Sequence, residues 1–84
     1  MNVQDRVKQF IVENFYVPDA ADMGDDTSLI TRGYVDSTGM LEVIAFLEQE
    51  YGISVADTEM TPGNLETIGR IARFVAQKQA AAAR

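Results

Sequence analysis

Asp36-Ser37-Thr38-Gly39-Met40-Leu41-Glu42-Val43-Ile44-Ala45-Phe46-Leu47-Glu48-Gln49-Glu50-Tyr51-Gly52 reads as one helix with a start, an inward stripe and a stop. Asp36 and Ser37 are both good N-cap residues, because a short side-chain oxygen can accept from the free backbone N–H groups of a first turn. No proline interrupts the run, and Gly52 is where the helix is expected to end. At helical spacing Met40, Val43, Ile44, Leu47 and Tyr51 fall within a sector of about 100°, wide enough to face a core. Leu41 and Ala45 lie outside that sector, beside Thr38, Glu42 and Glu48. Phe46 projects between Glu42 and Glu50 and is expected to pack against another helix.

Working outward, Val3, Val7, Phe10, Ile11 and Phe15 also recur at helical spacing, which predicts an amphipathic helix closed by Pro18. Residues 17–35 mix Pro, Gly, Asp and Thr and read as a long loop, pinned to the core at Leu29-Ile30 and Tyr34-Val35. Connections of this length in a compact domain are often functional. After Gly52, Ile53 and Val55 look like buried contacts, Pro62-Gly63-Asn64-Leu65 suggests a short helical turn, and Thr67 can cap a last helix whose Ile68, Ile71, Ala72 and Val75 share a face. No alternating strand pattern persists. The expected fold is all-α, a small four-helix bundle of three main helices and one short one with a long first loop. Residues 1–78 form the expected domain, and residues 79–84, which offer the core nothing larger than alanine, are expected to fray.

With 84 residues there is room for one domain and a modest core. The absence of cysteine excludes disulfides and thiolate metal sites, and the absence of histidine removes the commonest base and metal ligand. No metal site is expected. The N-terminal residues lack a basic segment followed by an apolar run, and no stretch approaches the ~18 apolar residues of a membrane span, so a cytoplasmic protein without membrane insertion is expected. Net charge is −6. It is unevenly spread: Gly33 to Gly69 contains no Lys or Arg, but holds Asp36, Glu42, Glu48, Glu50, Asp57, Glu59 and Glu66, whereas Arg70, Arg73, Lys78 and Arg84 follow with no further acid. An acidic centre disfavours nucleic acid and favours proteins with basic surfaces. It serves solubility equally well, and charge alone leaves both readings open. So does the second face of the central helix. Thr38, Leu41, Glu42, Ala45 and Glu48 are either a docking surface, with Leu41 and Ala45 giving contact and Glu42 and Glu48 steering, or simply the surroundings of a central helix.

Ser37 fails as a catalytic nucleophile, since no histidine is available to activate it. Its place at a loop-to-helix boundary exposes the hydroxyl where helix N-terminal amides can stabilise a phosphate. A capping serine accounts for the same local feature, and a non-covalent acidic interaction module remains an alternative at this point.

Gly33-Tyr34-Val35-Asp36-Ser37-Thr38, followed by Leu41-Glu42-Val43 and Phe46-Leu47-Glu48-Gln49-Glu50-Tyr51-Gly52-Ile53, resembles the phosphopantetheine-attachment region of acyl and peptidyl carrier proteins. The match extends more loosely to Leu65 and Thr67-Ile68. The resemblance implies that Ser37 carries a 4′-phosphopantetheine arm taken from coenzyme A by a phosphopantetheinyl transferase, that Asp36 helps the transferase recognise the site, and that the acidic helix docks partners. It implies a carrier rather than an enzyme, a monomer holding an acyl or aminoacyl group as a thioester for downstream transferases. Thr38-Gly39 departs from the leucine and polar residue usual in fatty-acid-synthase carriers, and Gly39 weakens a first helical turn by about 1 kcal/mol relative to alanine. The Asp-Ser-Thr-Gly form looks more like free-standing carriers loaded by a dedicated adenylating ligase.

Overall fold

A computed structural model describes residues 2–82. Four α-helices follow one another, α1 (Val3–Asn14), α2 (Ser37–Tyr51), α3 (Pro62–Leu65) and α4 (Ile68–Ala82), with 3-10 turns at Ala20–Asp22 and Asp57–Glu59 and no strand among the described residues. The expected all-α bundle of three long helices and one short one is therefore the architecture found.

Helix boundaries follow from local chemistry. The Asn2 side chain accepts from the Asp5 N–H at 2.8 Å and starts α1, which ends at Asn14 with Phe15 already extended. Gly52 closes α2 in the left-handed conformation (φ 65°) that glycine adopts without a Cβ penalty. Pro62 opens α3, where its missing N–H costs nothing. Thr67 Oγ1 accepts from the Arg70 N–H at 3.1 Å at the start of α4.

The core joins all four helices. Val7 and Ile11 of α1, Val43 and Leu47 of α2, Leu65 of α3, and Ile68, Ile71, Phe74 and Val75 of α4 are buried together. Phe74 was not part of the expected stripe on α4. α1 and α3 both lie closely along α4, whereas α1 meets α2 through aromatic rings. Phe10 stacks on Phe46 at 4.2 Å between centroids, the Arg6 guanidinium lies 4.8 Å over the Phe46 ring, and Arg6 pairs with Glu50 at 3.5 Å. Tyr51 meets Phe46 edge to face, and burial, then the neighbouring Glu50 carboxylate, raises its hydroxyl pKa above the ordinary value.

The long first connection is pinned at three points, Met23, Leu29 and Val35, all but fully buried. Ile30, expected beside Leu29 in the core, is instead 44% exposed. The loop backbone is also tied to the C-terminal half of the chain: Leu29 N–H donates to Glu66 O at 2.9 Å and Gly69 N–H to Asp25 O at 2.9 Å. At the other end, α4 continues as helix to Ala82, four residues past the expected fray point. Alanine has the highest helix propensity, so an exposed run of it extends a helix that the core has already nucleated. Residues 83 and 84 of the expected tail lie outside the described residues.

Candidate functional site

The site is assembled at the first turn of α2. Asp36 is the N-cap, its carboxylate accepting from the Gly39 N–H at 2.6 Å. Ser37 is thereby the first helical residue, and its side chain is exposed. Of the two capping candidates the structure selects Asp36, which leaves the Ser37 hydroxyl free of that duty.

Two grooves flank this turn. One, with a volume of about 410 Å³, runs from Ser37 between α2 and α3 over Met40, Leu41 and Ile44 to Met60 and Pro62. Three exposed apolar side chains, Ile30, Leu41 and Met60, line it. The other, of about 430 Å³, lies between the end of α1 and the start of α2 and is bounded by Tyr16, Tyr34, Thr38 and Glu42. Tyr16 is 84% exposed there.

The five residues expected on one docking face are thus distributed. Leu41 and Ala45 are exposed as expected, with Leu41 on the groove beside Ser37. Thr38 and Glu42 border the opposite groove. Glu48 is only half-exposed, and its carboxylate accepts from the Val55 N–H at 2.9 Å. It fastens the connection after α2 back onto the helix, and that contact engages one of the two charges expected to steer partners.

Nothing local in the sequence announced the contribution of Ile30, Met60 and Pro62 to the groove, since they come from two segments far in sequence from each other. Gly39 is the other surprise. It is buried, and a Cβ built on it would stand 2.6 Å from Phe15 Cε1 and 3.0 Å from Asp36 Oδ1. The glycine that weakens the helix on propensity grounds is the residue that lets the Phe15 ring close on its first turn.

An exposed hydroxyl on a capped helix N-terminus suits a phosphate-linked group, because nearby backbone N–H groups favour the negative charge. Comparison with known proteins agrees. The family model for the phosphopantetheine attachment site matches residues 5–75, a stretch containing all of α2. The chain is 28% identical over 79 residues to an acyl carrier protein of Chlamydia caviae, covering 94% of this chain and 99% of that protein. It is 32% identical over 56 residues to a D-alanyl carrier protein of Abiotrophia defectiva, covering 67% and 71%. A chain from the crystal structure of an FAD-dependent dehydrogenase superposes with a TM-score of 0.67 at 25% identity, covering 87% of this chain and 97% of that one. Proteins of this kind are carriers rather than catalysts and work with modifying and biosynthetic enzymes. This chain belongs to the phosphopantetheine-attachment family, as an acyl-carrier-type protein that holds acyl groups on a phosphopantetheine arm.

Proposed function

We propose that the Ser37 Oγ is the atom to which the arm is joined. The observation that supports this is the capping arrangement: Asp36 takes the helix-capping bond, and the adjacent hydroxyl is exposed at the helix N-terminus. In the transfer, the Ser37 oxygen bonds to the β-phosphorus of coenzyme A, the bond between the two phosphates breaks, and adenosine 3′,5′-bisphosphate leaves. The hydroxyl proton goes to a base of the phosphopantetheinyl transferase, which also holds the Mg²⁺. Asp36 fixes the turn that presents Ser37 and serves in recognition. Once attached, the arm supplies the thiol that a cysteine-free chain lacks and on which the acyl group is held as a thioester.

Leu41, Ala45, Thr38 and Glu42 are the docking residues in this reading, with Glu48 contributing from its half-exposed position. The cargo is an acyl or aminoacyl group, loaded by a dedicated adenylating ligase. The Asp36-Ser37-Thr38-Gly39 form supports that loading route, and the similarity to a D-alanyl carrier protein supports an aminoacyl cargo. Downstream transferases then meet the tethered group at high effective concentration. The similarity to a chain from an FAD-dependent dehydrogenase structure adds a flavin-dependent enzyme to the downstream partners worth testing. We place the carrier in the cytoplasm as a monomer, with residues 1–78 as the carrier unit and 79–84 as its tail.

Intact-mass measurement after incubation with coenzyme A, Mg²⁺ and a promiscuous phosphopantetheinyl transferase tests the attachment. The wild-type chain should gain one arm-sized increment. Ser37→Ala should gain none while keeping its helical circular dichroism, because the cap belongs to Asp36. An arm still attached in Ser37→Ala, for instance through Thr38, refutes the assignment.

A further inference from the structure

We infer that Phe15 and Gly39 are positioning residues for arm transfer: the Phe15 ring, occupying the space of a Cβ at position 39, holds the Asp36–Gly39 cap and with it the orientation of Ser37. The inference rests on the assignment of Ser37 above.

Gly39 sits inside the first turn of α2, where alanine would be favoured over glycine by about 1 kcal/mol on propensity alone. A Cβ there would stand 2.6 Å from Phe15 Cε1 and 3.3 Å from Cζ, so ring or helix must give by nearly 1 Å to reach the 3.4 Å of ordinary contact. The half-buried ring borders the groove of about 430 Å³ on one side and is packed on the other. Phe15 N–H is bonded to Ile11 O at the end of α1, and its ring meets Phe10 edge to face at 6.3 Å. Phe10 in turn is stacked on Phe46, which lies beneath Arg6. Packing along the seam between α1 and α2 thus supports the Phe15 ring from one side. On its other side Gly39 donates the N–H that the Asp36 carboxylate accepts, and the same carboxylate lies 3.0 Å from the position of the added Cβ. Ring, glycine and cap bracket Ser37 through the turn that carries it.

Reacting atoms must be aligned closely, and a misplacement of about 1 Å can lower a rate by about 10²-fold. The test is the kinetics of arm transfer from coenzyme A to the full chain by a phosphopantetheinyl transferase, well below every variant's melting temperature. Gly39→Ala should lower kcat by about tenfold or more while leaving the KM for the carrier nearly unchanged, because Leu41 and Glu42 are untouched. Phe15→Leu lacks the Cε1 and Cζ atoms that oppose the new Cβ, so the double variant Gly39→Ala with Phe15→Leu should recover most of the lost kcat. A folded chain that is merely less stable would show neither the kcat-only loss nor the recovery.

Wild-type kcat in Gly39→Ala overturns the inference, and so does a double variant as slow as Gly39→Ala alone. Should Gly39→Ala fail to fold, Phe15→Leu by itself decides: the inference requires a reduced kcat and faster hydrogen exchange of the Gly39 amide, and wild-type values of both overturn it. Peptide mapping of the modified chain separates the two levels. An arm on a residue other than Ser37 removes the attachment assignment, whereas an arm on Ser37 transferred at rates indifferent to these substitutions removes only the positioning role.

Discussion

The seam between α1 and α2 and the groove between α2 and α3 border the same helix, yet they are built differently. Along most of the seam rings fill the space: Phe10 lies flat on Phe46 and Arg6 covers the stack while pairing with Glu50, and where the seam opens into the groove of about 430 Å³ at the head of α2 the Phe15 ring lies against Gly39. In the groove, aliphatic side chains line a space of about 410 Å³ that is left open next to Ser37. The packed stretch of the seam can support the first turn of α2 from one side. The two open grooves leave that turn approachable. Close packing resists displacement within the Phe10–Phe46 stack, whereas Leu41, 58% exposed, makes few contacts whose loss would be felt by the fold.

The strongest way to break this comparison is to make one substitution at two positions on α2. Leu47 is fully buried, and truncation of a buried leucine to alanine removes about 2–5 kcal/mol, a large share of what a domain this small possesses. Leu41→Ala should cost less than about 0.5 kcal/mol. Thermal melts of the two variants read the difference, and similar melting temperatures would mean that the helix is turned otherwise than described.

A smaller effect separates the two glutamates. Glu48 accepts a charge-assisted hydrogen bond from the Val55 N–H, so Glu48→Lys should destabilise by about 1.5–3 kcal/mol. Glu42 is exposed, and Glu42→Lys should move stability by less than about 0.5 kcal/mol. Its effect belongs to binding: arm transfer and cargo loading should slow, most at low ionic strength, where attraction to a basic partner is least screened. Equal loading of wild type and Glu42→Lys across a salt titration would assign the acidic face to solubility.

The smallest effect lies away from both regions, where Glu59 fastens the turn before α3 to α4. Its carboxylate accepts from the Ala56 N–H at 2.9 Å and from Lys78 Nζ at 2.9 Å. These contacts, the backbone bond first, hold its pKa below the ordinary 4.5. A carboxyl whose folded pKa is depressed adds stability that is fully present above its unfolded value and is lost as pH falls through the folded one. The melting-temperature difference between wild type and Glu59→Gln should therefore be constant near neutrality and shrink below pH 4.5. A difference independent of pH down to 3 would show that the ionised carboxylate contributes nothing.

Elements were legible wherever the signal was local. Asp36, Gly52, Pro62 and Thr67 mark helix ends through their own side chains or backbone preferences, and a 3.6-residue period placed Val43 and Leu47 inward and Leu41 outward. The Asp36-Ser37 boundary showed in the same way, as a capping residue beside an exposed hydroxyl. Less visible were residues whose role depends on distant neighbours. Lys78 followed the last acid by twelve positions and looked unpaired, but folding brings it against Glu59, 19 residues earlier. Met23 gave no periodic signal, since a loop residue is buried by where its loop crosses the core.

The sequence by itself determined that this chain is a helical bundle with a serine at the head of an acidic helix, because helix period and caps are properties of neighbouring residues. Only the tertiary structure decided which of two candidates caps that helix, that Glu48 is held by the Val55 N–H, and that Gly39 makes room for Phe15. Each of these depends on which backbone and side-chain atoms share a space of a few ångströms after the chain has folded. Gly39 shows the distinction most directly: helix propensity counts its missing Cβ as a defect, and packing against a ring 24 residues earlier makes that absence a requirement.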